Sequence, residues 1–493
     1  MKYGWVIRRG KLIAFMTSKI ISGTVWSFLQ KFGGLAIGFI ANMTLARLLC
    51  PEDFGTIGMI MVFVSFADVL VDGGLGNALI QKRNVTEDDY STVFLSNLLF
   101  SLAVFSLLFF LAPVIETYTS ISQISIYLRV QAILILIRAL YVVPYSILTK
   151  KLLFKSLAKI NLLSSSISVS IAISLAYVGG GVWSLICRNI LFDAILLFFL
   201  YNKSQYKIKI RFNKKSFNEL FGFGIFVVFS NLIENLYSNA VTFFTGKQYS
   251  VRELGYYNQA YALQQMPVYS LSSVLNQVLF PYFSKIQCNR DEVRYKLKCS
   301  IQLVTFVIFP LLLFLICYAN QVISLVYSPK WLPCVAYFQL FCIAGMFNAM
   351  IHINRSLLKS HGFTKTIFRI QIANTVIGIC LLLFFLRISM KATVCAFVVN
   401  SLLLLFLMTT YASGKKIGYS IVLQLGNVLP NFVISLICIL IDYYVFKCLS
   451  VNIIMALVLE FLFFVSLYVS CHFIFNTNVF QILKIIIKNF KSK

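Results

Sequence analysis

Four basic residues stand inside long apolar runs: Lys31, Arg129, Arg138 and Arg188. Four acids do the same: Asp68, Asp72, Glu234 and Glu460. On membrane-insertion scales an ionisable side chain at such a depth costs about 2.5–3.5 kcal/mol, so each one needs a partner or a ligand. At 100° per residue, Gly23, Ser27, Lys31, Gly34 and Gly38 share an arc of about 80° on one helix. Small residues mark a face that packs on protein or borders a cavity. Lys31 therefore reads either as a cavity cation or as half of a buried ion pair. Arg138 shares its side of a helix with Gln131, Tyr141 and Tyr145, a polar stripe that suggests a lumen. Arg129 points the other way and lies nearer the end of its run, where it either snorkels to the interface or contacts a ligand. Arg188, beside Asn189, is also near an end and is a candidate ligand contact.

A chamber lined by such cations suits a diphosphate or an acidic sugar, because Arg and Lys neutralise phosphate away from bulk water. Asp68 and Asp72 are four apart, on one face with Ser65 and Gly76. They either bind a coupling proton or sodium ion, or pair with Lys31 and Arg138. Glu234 aligns with Ser230, Asn231, Tyr237 and Ser238 and reads as facing a lumen, with ion coupling as a second role. Glu460 faces either a groove for a lipid tail or another helix. The histidines His352, His361 and His472 have no metal-ligand spacing. No HExxH, phosphate-binding loop or GxSxG stands in a plausible context, and no cofactor is implied. The acidic triplet Glu87 to Asp89 reads as a solvated loop cluster. The 12 cysteines, mostly inside apolar runs such as those holding Cys187, Cys317, Cys380, Cys395 and Cys438, read as small apolar fillers.

The elements that hold these residues must be membrane helices. The chain has 493 residues, 59% hydrophobic and only 12% charged, with a mean hydropathy of +0.86. That much apolar surface needs lipid as its solvent, and crossing it takes roughly 20 apolar residues per helix. The runs are continuous rather than alternating, which favours helices over a barrel. An all-α protein of about fourteen spans is expected, near 20–43, 55–80, 91–115, 121–147, 158–178, 181–201, 220–244, 255–283, 299–318, 333–354, 367–386, 392–411, 420–441 and 450–473. The basic N-terminus leads directly into a long span, with no cleavage pattern of a secretory signal.

The net charge of +27 follows the topology. Of the 43 Lys and Arg residues, thirty-two fall on one side of this arrangement, seven on the other and four within spans. Basic loops stay inside, so both termini are expected in the cytoplasm. The positive surface then faces anionic lipid head groups, and nucleic acid is not an expected partner.

Two stretches repeat. "LARLLCPEDFGTIG" (Leu45 to Gly58) and "TGKQYSVRELGYYN" (Thr245 to Asn258) each lie between apolar runs. Arg47 matches Lys247, Asp53 matches Glu253, Phe54 matches Leu254 and Gly55 matches Gly255. The glycine is expected to ease the chain into the next helix, and the acids suit that helix's positive N-terminal end. An even number of spans separates the copies, so they share one orientation and form a parallel repeat. The expected division is a six-helix lobe over 1–201, a basic cytoplasmic linker over 202–215, a second six-helix lobe over 216–411, and two extra helices with a basic tail over 412–493. Pro144, Pro267, Pro310 and Pro430 sit in or beside spans, as kinks that either bend or stay fixed.

The block "ARLLCPEDFGTIGMIMVFVSFADVLVDGGLGNALIQ" resembles the first helix pair of Wzx-type polysaccharide flippases, members of the multidrug/oligosaccharidyl-lipid/polysaccharide exporter superfamily. "LFGFGIFVVFSNLIENLYSNAVTFFTGKQYSVRELGYYNQAYALQQMP", followed by "VLFPYFSKIQ", is similar to the start of their second lobe. Relatives often carry an acid before the second hairpin where this chain has Val241 and Thr242, so a coupling role at that place does not transfer. The resemblance implies an alternating-access transporter in the bacterial inner membrane. It implies an undecaprenyl-diphosphate-linked oligosaccharide as substrate, moved from the cytoplasmic to the periplasmic leaflet, and other polysaccharide-assembly proteins as partners. Two other classes stay open: a drug or cation exporter of the same superfamily, and a membrane-bound glycan polymerase or ligase. The excess of buried bases argues against the first, and the short loops, with no room for a catalytic domain, against the second. A purely structural membrane protein would not need so many polar residues at mid-depth.

Overall fold

The computed structural model describes the backbone of residues 2–72, 74–82, 84–287, 289–414, 417–446, 453–481 and 484. Within it, the side chains of residues 2–24, 72, 223–227, 229–231, 234, 273–278, 280–281, 285, 364 and 411–413 lie outside the described set. Every regular element among the described residues is helical, with no strand.

Contacts divide the chain into two units, Met1–Gly255 and Tyr256–Lys493. The first holds α1 (Lys2–Leu48), α2 (Pro51–Asp72), α3 (Leu75–Gln81), α4 (Glu87–Thr119), α5 (Ile124–Gln131), α6 (Ile133–Lys150), α7 (Phe154–Tyr177), α8 (Val182–Ser204), α9 (Lys214–Gln248) and the start of α10 (Val251–Ile286). The second holds the rest of α10, then α11 (Arg290–Cys317), α12 (Ala319–Val326), α13 (Val335–Ser360), α14 (Thr364–Phe385), α15 (Met390–Met408), α16 (Ile421–Phe446) and α17 (Ile453–Ile474).

Eleven helical segments among the described residues are long and apolar enough to span a membrane. The three other expected spans fall in α1, α9 and α10, helices of 47, 35 and 36 residues that each include side chains outside the described set. Large apolar side chains lie bare on the surface, among them Phe110 at 76% and Val422 at 74% exposure, as a lipid-facing shell requires. The chain is a multi-pass membrane protein.

Local chemistry sets the breaks. Gly74, with φ at 65°, separates α2 from α3 inside what the sequence suggested was one span. Thr86 caps α4: its hydroxyl accepts from the Asp89 N–H, and the Asp89 carboxylate accepts from the Thr86 N–H. The acidic triplet is thus not simply solvated, because Asp89 is fully buried. In α7 the exposed serines 166, 170 and 174 each donate to the carbonyl four residues back, which lets hydroxyls face an apolar environment. The connection after α11 forms α12 and a 3₁₀ turn, Pro329–Cys334, closed by the buried rings of Tyr318, Tyr327 and Trp331.

The core of the first unit packs α2, α4 and α6 through Ala67, Val71, Leu108, Ala132, Ile135 and Ala139. In the second unit α16 docks on α11 and α13 by polar contacts. Asn354 and Gln424 exchange amide hydrogen bonds of 3.1 and 3.2 Å, and Asn431 donates to the Gln302 carbonyl and to Thr305 Oγ1 at 3.0 Å each. Without water in the bilayer, such amides need protein partners.

Candidate functional site

The site lies among α2, α6 and α8, which pack against one another. Arg138 projects from α6 and pairs with two carboxylates. Its Nη1 reaches Asp68 on α2, and its Nε donates to Asp193 Oδ2 on α8 at 2.8 Å. Tyr141, on the same side of α6, donates its hydroxyl to Asp193 Oδ1 at 3.1 Å. The Asp193 side chain is 2% exposed, while those of Arg138 and Asp68 are 31% and 24% exposed. Asp193 is therefore the buried anchor, and the other two border open space.

Of the two roles expected for Asp68, pairing with Arg138 is the one found. The cluster holds two carboxylates for one guanidinium, so Arg138 is neutralised within the protein. Asp193 was missing from the sequence reading, although an acid inside an apolar run is the same signal that singled out Asp68. The Asp72 and Glu234 side chains lie outside the described residues.

Lys31 is half-buried on α1. One side of this helix packs on α7, where Gly33 lies against Leu162. Gly34 and Gly38, on the arc of Lys31, have open space beside them. No neighbouring helix packs against these two glycines among the described residues. Arg188 is half-buried on α8 and has no ion pair or hydrogen bond among the described residues. Arg129 donates to the Phe109 carbonyl at 3.2 Å, and its guanidinium lies 4.6 Å from the centre of that residue's ring. Those contacts hold it on α4 and α5, apart from the Arg138 cluster.

The two repeated hairpins meet within the first unit. Asp53 accepts from the Cys50 N–H at 2.9 Å, and Ser250 Oγ accepts from the Glu253 N–H at 3.2 Å, so acids do sit in both first turns. The glycines serve a different purpose from the one expected. Both have ordinary helical backbones, and both are in contact with the other hairpin. Arg252 Nε and Glu52 Oε1 lie 3.4 Å apart across this contact.

At the opposite end, Lys82 donates to Asp89 at 3.0 Å and to Glu219 at 2.8 Å, joining α3, α4 and α9. The hydrogen bond to Glu219, aided by Asp89, holds the Lys82 ammonium above the usual lysine range although burial opposes it. No group of His, Cys, Asp and Glu among the described residues is placed to hold a metal ion.

Comparison with known proteins agrees with this architecture. The chain is 27% identical over 350 residues to the teichuronic acid biosynthesis protein TuaB of Bacillus subtilis (strain 168), covering 70% of this chain and 72% of that one. It is 24% identical over 368 residues to the lipopolysaccharide biosynthesis protein WzxC of Escherichia coli (strain K12), covering 73% and 74%. Its fold is similar to that of the lipid II flippase MurJ in an inward closed conformation, with a TM-score of 0.75 at 18% identity, over 92% of this chain and 98% of that one. Residues 44–336 match the family described as "Polysaccharide biosynthesis protein". The chain belongs to that family, and the Wzx-type resemblance carried by its two hairpin blocks stands.

Proposed function

We propose that the chain is a flippase that moves an undecaprenyl-diphosphate-linked oligosaccharide from the cytoplasmic to the outer leaflet of a bacterial inner membrane. It works by alternating access through a polar chamber in the first lobe, with both termini in the cytoplasm. It acts as a transporter rather than an enzyme. The observation that carries this reading is the charged cluster of Arg138, Asp68 and Asp193, buried on one side and open on the other among apolar helices. Charges so placed need water or a polar ligand on the open side. Arg188 and Lys31 are the cations proposed to meet the diphosphate, and Arg138 positions the wall between them. Asp68 is a candidate for a coupling proton or sodium ion, since ion binding would compete with its pairing to Arg138.

One observation favours a second reading, export of an organic cation. The cluster carries one more carboxylate than guanidinium. Depletion of the protein in its host separates the two. On the first reading, lipid-linked oligosaccharide accumulates in the inner leaflet, wild type restores surface glycan, and Lys31→Ala and Arg188→Ala reach normal membrane abundance without restoring it. Normal surface glycan after depletion, together with hypersensitivity to cationic dyes, would favour the second.

A further inference from the structure

The Lys82 end of the first unit holds a cavity of about 330 Å³ that the transport reading leaves unused. Its walls include Lys151 after α6, Lys207 and Lys209 in the linker, Tyr90 and Glu87 on α4, and Tyr206. Glu87 is paired with Lys209. Lys151 and Lys207 have no ion pair or hydrogen bond from their ammonium groups among the described residues, so the cavity is net positive. The Tyr90 and Tyr206 rings meet edge-on, 6.4 Å between centres. The Tyr206 hydroxyl is buried beside Ser91.

The linker supplies a second, independent feature. From Lys207 to Phe212 it alternates basic and apolar residues in a non-helical stretch. Lys207 and Lys209 line the cavity, whereas Ile208, Ile210 and Phe212 do not and are 51%, 77% and 54% exposed. An exposed apolar row of this kind is unfavourable in water and favourable in acyl chains. Cations one residue away then stand at the depth of the head groups, where tyrosine is also favoured.

We propose that this cavity is a head-group site for an anionic membrane phospholipid, whose phosphate meets Lys151 and Lys207 while Ile208, Ile210 and Phe212 reach into the acyl layer. The apolar row selects a lipid over free phosphate. Bound there, the lipid ties the linker to the ends of α4, α6 and α8 on the membrane surface.

The test is lipid retention by the purified full chain, read by native mass spectrometry in detergent. Phosphatidylglycerol, phosphatidylcholine and soluble glycerol phosphate are the probes. The expected result is preferential retention of phosphatidylglycerol, weakened about fivefold for each of Lys151→Gln and Lys207→Gln. Both positions are exposed, so the variants fold. Lys365→Gln, an exposed basic residue elsewhere, leaves retention unchanged. Ile210→Ser with Phe212→Ser weakens retention of the whole lipid and not of glycerol phosphate. Equal retention of phosphatidylcholine, or wild-type retention in the Lys151→Gln/Lys207→Gln variant, overturns the proposal. So does glycerol phosphate competing as well as the intact lipid, which would make this a free-phosphate site. The assay involves no glycan, so its failure leaves the transport reading untouched.

Discussion

Gly55 lies so close to the carbonyl oxygen of Val251 that a methyl group on it would overlap that atom. Gly255 stands in the same relation to the carbonyl of Pro51. The contact is reciprocal, and its partners are equivalent positions of the two sequence repeats, two hundred residues apart. A duplicated hairpin supplies two matching surfaces, and a glycine in each lets one backbone rest on the other. The demand on these positions is space alone.

Substituting either glycine should therefore push the hairpins apart. With cysteines placed at Glu52 and Arg252 in a background lacking Cys50, oxidative cross-linking is expected to be efficient in the wild-type frame. Gly55→Val or Gly255→Val should lower it at least tenfold, about 1.4 kcal/mol in the closing equilibrium. Gly34→Ala, beside open space, should leave it unchanged.

Removing Arg138 takes away the guanidinium that Asp68 and Asp193 share. Arg138→Met is expected to destabilise the detergent-solubilised protein by about 3–5 kcal/mol, seen as a lowered Tm. Adding Asp193→Asn and Asp68→Asn to that variant should recover most of the loss. Equal Tm values for Arg138→Met and the triple variant would refute the pairing.

Hydrophobicity was enough to read the helical membrane fold from the sequence, and the family came from the resemblance of the two hairpin blocks to known flippases. These are properties of one face or one segment at a time. The charged cluster was only half legible. Helical phase grouped Arg138 with Tyr141, but nothing in one sequence says which of several buried acids lies across from it. Asp193 needed the packing of α8 on α6 before its role was visible. The role of Gly55 was misread for the same reason, since close approach involves a segment two hundred residues away. Asp89 looked solvated because a triplet of acids resembles a loop, yet Thr86 three residues earlier marks it as half of a cap.

The Lys82 contacts predict a pH dependence. Because its ammonium is held above the usual lysine range, its contribution to stability is fully present below about pH 10.4, the ordinary value. That contribution is lost as pH rises through the higher folded value. The Tm difference between wild type and Lys82→Met should be constant from pH 7 to about 10 and shrink above that. A difference that grows with rising pH would contradict the assignment.

The exchange between Asn354 and Gln424 should show strong coupling. Asn354→Leu alone removes both bonds between the Asn354 and Gln424 amides, leaving Gln424 its bond to the Tyr419 carbonyl, and is expected to cost about 1–3 kcal/mol. Asn354→Leu with Gln424→Leu should cost less than the sum of the single variants in a double-mutant cycle of thermal stability. Strict additivity would mean that the two amides do not act as a pair.

Translocation in proteoliposomes is the most direct test of the transport account. Vesicles containing the purified chain should move a fluorescent undecaprenyl-diphosphate oligosaccharide between leaflets well above the rate of empty vesicles. Arg188→Ala, reconstituted to the same density, should lose at least tenfold of that rate. A wild-type rate no greater than that of empty vesicles, or an Arg188→Ala rate equal to wild type, would contradict it.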